Sequence, residues 1–258
     1  MKVAIIVADS FGEPFDSIRN ELWDKNWAPF KKAGFEVFKY IGSKNSLLNN
    51  QVDIVENLRY TKLWPIQYIL DKYRISRFNS REIAVLKNND LLSVDTPEGL
   101  RYLGVKTFAV LHYFFKNDYD LIYKTTMSSI LSLQLFRDFI SKVDLSEKLY
   151  GGTIIKRELD FDYISGANLF INKKAFEILS LHRRSWNHAK LEDVAIGKIL
   201  STRVKLTPVS SINISNMDIL RSISAAELSN TLHIRCTARN GKARDDLDIM
   251  EQILLLNR

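Results

Sequence analysis

Two adjacent acids open the run Leu191-Glu192-Asp193-Val194-Ala195-Ile196-Gly197-Lys198-Ile199-Leu200. Leu191, Ala195 and Ile199 fall at helical spacing, as do Ile196 and Leu200, so one face of this helix is core and both acids stand at its N-terminus. The helix dipole favours negative charge there, which is a sufficient structural reason for either acid. The chemical reading is a carboxylate at a cleft edge that removes a proton from a hydroxyl, with Asp193 as the base and Glu192 beside it. Upstream, Lys124-Thr125-Thr126-Met127-Ser128-Ser129 follows the apolar Leu121-Ile122-Tyr123 and brings hydroxyls to a strand end. Open α/β sheets collect ligands at that edge, and a following helix offers free amides to anions. A plain helix cap at Ser128 or Ser129 is the competing reading. Ser165-Gly166-Ala167 permits close backbone approach by a ligand, or simply relieves crowding between strands. Late in the chain, His233, Arg235, Arg239, Lys242 and Arg244 form a basic cluster. His233 and Arg235 alternate and so share one side of a strand. Arginine's planar fork binds phosphate oxygens in pairs, although a solvated basic loop explains the cluster equally well.

The elements that must position these groups alternate. Val3 to Ala8 is a continuous apolar run, as in a strand buried on both faces. Residues 14–33 read as a helix stopped at Gly34, and Phe35 to Tyr40 as the second strand of a βαβ unit. Residues 55–89 suit helix plus irregular surface. A long helix is expected from Thr96 to Phe115 with Pro97 in its first turn. Then come a strand at Asp120 to Lys124, an amphipathic helix from Ile130 to Ile140, and strands at Tyr150 to Ile155 and Tyr163 to Ile171. Helices at Asn172 to Leu181 and Leu191 to Leu200, a strand at Val204 to Val209 and a helix at Asp245 to Leu256 complete the pattern. The expected fold is one α/β domain over residues 1–258, with a mixed, mostly parallel central sheet flanked by helices. In it, Thr125 to Ser129 and His233 to Arg244 should meet at the C-terminal edge of the sheet.

Composition is that of a globular protein: 46% hydrophobic and 26% charged over 258 residues. No apolar run approaches the ~20 residues of a spanning helix, and the apolar start is too short for a leader peptide's core. A single cysteine, Cys236, rules out an intrachain disulfide and fits a reducing, cytoplasmic compartment. The net charge of +7 and pI near 9.3 favour anionic partners. Basic residues are scattered and no nucleic-acid signature is present, so a nucleic-acid partner rests on charge alone and is not expected. His112, His182 and His188 lack metal-ligand spacing. Trp23, Trp27 and Trp64 suit a core or a cleft wall.

The order of the motifs resembles the family 31 and fringe-like glycosyltransferases of the GT-A fold. Those enzymes carry an aspartate-rich metal motif, then a Ser-Gly-Gly/Ala segment, then Glu-Asp-Val; the likeness runs from about Asp90 to about Leu200. It implies inverting transfer of a hexose, galactose from a UDP-sugar in first place, to a hydroxyl of an oligosaccharide or polysaccharide. Asp193 would be the base and Glu192 its catalytic neighbour. Asp9 and Ser10 would meet the nucleotide, and Lys124, Thr125, Thr126, Ser128, Ser129, His233 and Arg235 the rest of the donor. Ser165, Gly166 and Ala167 would line the acceptor. The resemblance also implies Mn²⁺ or Mg²⁺, but Thr126-Met127-Ser128 occupies the place of Asp-x-Asp. Hard dications want anionic oxygen, so no metal ligand is assigned. That departure leaves a second reading: a glycan- or nucleotide-binding module that kept the fold and lost the chemistry.

Overall fold

The computed structural model describes residues 1–43, 83–96, 98, 102–156, 161–186, 191–240, 243–244 and 246–256. Strand β1 (Val3–Ala8) lies between β2 (Glu36–Gly42) and β5 (Leu121–Thr126), parallel to both, with Ala8 opposite Tyr40 and Thr126. Around them the eight-stranded sheet runs β3-β4-β2-β1-β5-β8-β7-β9. The additional strands are β3 (Val85–Asn88), β4 (Leu91–Val94), β7 (Tyr150–Ile155), β8 (Tyr163–Asn172) and β9 (Leu206–Pro208). Four of its seven strand pairings are parallel; β8 is antiparallel to both neighbours, as β3 is to β4. The expected mixed, mostly parallel α/β sheet is therefore present.

Strand alternation divides the core between the two sheet faces. Val3, Ile5, Val7, Leu121, Tyr123 and Phe170 pack with α2 (Trp23–Lys32), α4 (Leu133–Ser141) and α9 (Asp246–Leu256) through Trp27, Phe136 and Ile249. Ala4, Ile6, Ile122, Leu169 and Ile171 pack with α3 (Leu103–Lys116), α5 (Lys173–Leu181) and α6 (Glu192–Leu200) through Phe114, Phe176 and Ile196. Each Val, Leu, Ile or Phe among them, removed from water, contributes ~1.5–3 kcal/mol. A second sheet has the order β10 (Ser211–Ile214), β11 (His233–Cys236), β6 (Ser129–Leu131), and β12 (Arg239–Asn240) pairs with β13 (Ala243–Arg244). Helices α7 (Met217–Ser222) and α8 (Ala225–Ser229) connect β10 to β11.

Several boundaries differ from the sequence reading, each for a local reason. The helix expected over 14–33 is two, α1 (Phe15–Glu21) and α2, divided at Leu22; Gly34, with φ +90, ends α2 in a backbone region that suits glycine. Val85–Asn88 is a strand because Asn89, with φ 52, turns the chain back into β4; residues 55–82 lie outside the described residues. The helix expected from Thr96 starts at Leu103, and Pro97 is likewise outside. Ile130 and Leu131 belong to β6 because they pair with β11. The helix cap is Ser132, which accepts from the Leu135 amide at 3.4 Å, and neither Ser128 nor Ser129. Among the described residues no helix is long and apolar enough to cross a membrane.

Candidate active site

The parallel strands β2, β1 and β5 end along one edge. Gly42, Ala8 and Thr126 close them, and the Met127 amide donates to the Ala8 carbonyl at 3.1 Å. Strand β8 runs the other way, so Asn168 faces Thr125 and the preceding Ser165, Gly166 and Ala167 fall at the same edge. Helix α6 begins there too. Asp193 is half-buried, and its Oδ2 accepts from the Gly166 amide at 3.1 Å while Oδ1 accepts from Val194 at 2.8 Å. Two backbone amides thus hold the carboxylate in place. The Ser165 hydroxyl accepts from the Ala167 amide at 3.4 Å, within the same strand.

Glu192 faces inward and is 3% exposed. One carboxylate oxygen pairs with Lys124 and the other accepts from the Thr107 hydroxyl; Lys124 also donates to the Gly166 carbonyl. Burial pushes the Glu192 carboxyl above the ordinary range, while Lys124 and Thr107 pull it down. The approach of α6 to β8 is close: a Cβ added at Gly166 would lie 2.6 Å from Glu192 Oε1 and 3.4 Å from Asp193 Cβ. Glycine is needed here for contact, not for an unusual turn.

The polar strand end meets β11, the first strand of the late basic segment. Arg235 is opposite Ser129 in the β6–β11 ladder, and the Cys236 amide donates to the Ser128 carbonyl at 2.8 Å. Thr126 Oγ1 and Ser129 Oγ lie 2.9 Å apart, and Thr125 Oγ1 lies 3.2 Å from His233 Nε2. Thr126 and Arg235 are half-buried, whereas Thr125, Ser128, Ser129 and His233 are enclosed. Burial, then the neighbouring Arg235, pushes the imidazole down to about 3, against a hydrogen bond with the Ala167 backbone that acts upward. His233 is therefore a neutral, internal link between β5, β8 and β11. The unfolded chain takes up this proton near pH 6.5 and the folded chain only near 3. The stability that His233 contributes above pH 6.5 is thus lost as pH falls through that window. Going from pH 7 to 4.5 should cost about 2–3 kcal/mol through this residue. Urea unfolding of the wild type and His233→Gln at both pH values measures it, and the variant should lose less. Equal losses would contradict the assignment.

Asp9 and Ser10 form a separate group at the end of β1. Arg19 of α1 holds both Asp9 oxygens at 2.7 and 2.8 Å and donates to the Ser10 carbonyl at 2.7 Å. Asp9 is thereby saturated by a cation of its own chain. Ser10 Oγ approaches Glu98 at 3.4 Å; Glu98 also accepts from the Gly42 amide at 2.5 Å and pairs with buried Lys106. Arg19, Glu98, Lys106, Thr107 and Tyr40 were not singled out by sequence reasoning. Lys106 and Thr107 carried a usable signal, because they interrupt the otherwise apolar Val105 to Leu111.

Thr126, Met127 and Ser128, where the resemblance would put Asp-x-Asp, do not fit a divalent ion. Met127 is 1% exposed and packs in the core, and Thr126 and Ser128 bring only hydroxyls. Among the described residues no group of three or more His, Cys, Asp or Glu could hold a metal ion.

A mostly parallel sheet covered by helices on both faces, with polar groups gathered where β1 and β5 end, is a GT-A-like architecture. The chain is similar in structure to a glycosyltransferase involved in the glycosylation of the major capsid of PBCV-1, with TM-score 0.52, 9% identity and coverage of 99% of this chain and 100% of that one. It also aligns with 4-diphosphocytidyl-2C-methyl-D-erythritol synthase from Anaerococcus prevotii, with TM-score 0.45, 11% identity and coverage of 81% and 86%. At 9% identity the likeness to the PBCV-1 glycosyltransferase is one of fold. No family model and no curated protein matches the chain.

Proposed function

We propose that the protein is an inverting glycosyltransferase that moves a hexose from a nucleotide-diphosphate sugar to a hydroxyl of a glycan. The observation that carries this reading is Asp193, half-buried at the strand-end edge and fixed through both oxygens by the Gly166 and Val194 amides. A carboxylate so held can take the acceptor proton as the hydroxyl attacks the anomeric carbon. The Ser165-Gly166-Ala167 segment of β8 beside it suits the acceptor, and half-buried Thr126 and Arg235 suit the departing diphosphate. The order of these segments resembles family 31 and fringe-like enzymes, from which a UDP-sugar donor and galactose are the first candidates. The GT-A-like fold and its viral glycosyltransferase neighbour support the same class. The second reading, a binding module without catalysis, draws on the hydroxyls and thioether at positions 126–128.

A thermal-shift screen against nucleotide sugars tests donor use. A ligand at 100 times its Kd adds ~2.7 kcal/mol, which raises Tm by several degrees in a chain of this size. No shift with any nucleotide sugar would sink the proposal. Because the Asp-x-Asp position holds no carboxylate, a chelator should lower turnover only modestly. Complete loss restored by Mn²⁺ would show that ligands come from elsewhere, with Asp193 the first to examine.

A further inference from the structure

Lys124 stands close to the strand end, where a lysine would ordinarily meet a diphosphate, yet its side chain is 1% exposed. Of its three ammonium hydrogens, one is directed to Glu192 and one to the Gly166 carbonyl. Glu192 is tied in turn to Thr107, and Thr107 Oγ1 meets the Tyr40 hydroxyl at 2.9 Å. This chain of contacts joins β2, α3, α6, β5 and β8. It ends on the glycine whose amide holds Asp193.

We propose that Lys124 is a positioning residue and that the chain Tyr40–Thr107–Glu192–Lys124 fixes Asp193 through Gly166. The inference rests on the reading of Asp193 as the base. A buried ion pair is a weak source of stability, since apolar residues of similar volume often serve as well or better. What the pair supplies here is geometry. Lys124 grips the Gly166 carbonyl while Asp193 accepts from the Gly166 amide, so the glycine is held from both sides. Thr107 holds the outer oxygen of Glu192 and so fixes the oxygen that faces Lys124. A shift of the glycine carries the base with it, and misplacement by ~1 Å can lower a rate by ~10²-fold.

Thr107→Val removes the hydroxyl at nearly constant shape, and Thr107→Ser keeps it. Lys124→Met with Glu192→Gln removes both charges together, which avoids an unpaired buried ion. For each, kcat, donor Kd and Tm are measured. Thr107→Val should lower kcat by about 5–10-fold and the paired variant by about 10–100-fold, with donor Kd changed less than about threefold. Thr107→Ser should recover most of the lost turnover. A merely structural contact would lower Tm and leave the kcat of folded protein unchanged, and that result overturns the inference. Donor affinity weakened tenfold or more at unchanged kcat in the paired variant would make Lys124 a diphosphate ligand and overturn it equally. If the paired variant does not fold, the two Thr107 variants decide. Wild-type protein that binds a donor but never turns it over defeats the reading of Asp193 and this inference together. Wild-type turnover untouched by Thr107→Val defeats this inference alone.

Discussion

Asp193→Asn is expected to lower kcat by ~10²–10⁴-fold while donor affinity and Tm stay near wild type. Asparagine has the same size, and its side-chain oxygen can still accept from either the Gly166 or the Val194 amide. What it lacks is the second acceptor and the basicity. The structure sharpens the control: one amide partner is lost in the amide side chain, so a small fall in Tm is expected and does not by itself report on catalysis. Glu192→Gln provides the contrast. Glu192 is enclosed with Lys124 and Thr107 and does not face the open edge, so its variant leaves Lys124 buried without a counter-charge and should lower Tm more than Asp193→Asn does, while the folded protein binds donor and loses less turnover. Near-wild-type kcat in a well-folded Asp193→Asn protein would reduce the aspartate to an ordinary helix-start acid.

Gly166→Ala should be the most damaging small substitution in the site. The added methyl would stand 2.6 Å from Glu192 Oε1, and that oxygen is pinned by Lys124. Glu192 therefore has little room to yield, and either α6 or the start of β8 must move. Overpacking of this kind costs about 1–3 kcal/mol, and the accompanying shift of Asp193 should lower kcat by about 10²-fold. Chemical denaturation and steady-state kinetics on the same preparation separate the two effects. A stable, fully active Gly166→Ala protein would show that the α6–β8 contact tolerates displacement and that the base is not held as described.

Much of the fold was legible because its central strands and helices are periodic or uniformly apolar. Val3 to Ala8, the stop at Gly34 and the helix after Asn172 all follow from local chemistry. What escaped is short or decided at a distance. A three-residue strand such as Ser129–Leu131 has no measurable period, and its pairing with β11 is set by residues a hundred positions away. The β3–β4 hairpin was hidden because each strand has only four residues, with Leu86 exposed on the edge strand. At the site, the sequence identified the segments that the structure gathers at one edge, but not which side chains remain open there. Lys124 and His233 read as diphosphate contacts through the resemblance to GT-A enzymes, which says nothing of whether a side chain is open or enclosed. Their burial depends on Glu192, Thr125 and the Ala167 backbone, partners that only the tertiary fold brings near. Asp9 similarly read as a nucleotide contact, yet Arg19, on the first helix, takes both of its oxygens.

The most direct measurement is nucleoside diphosphate release by wild-type protein, given the nucleotide sugar that stabilises it most and a panel of glycan acceptors. Release that requires an acceptor, matches the sugar transferred and nearly vanishes in Asp193→Asn is the expected result. A donor that binds tightly but is never released as diphosphate with any acceptor, in wild type and variant alike, would contradict it.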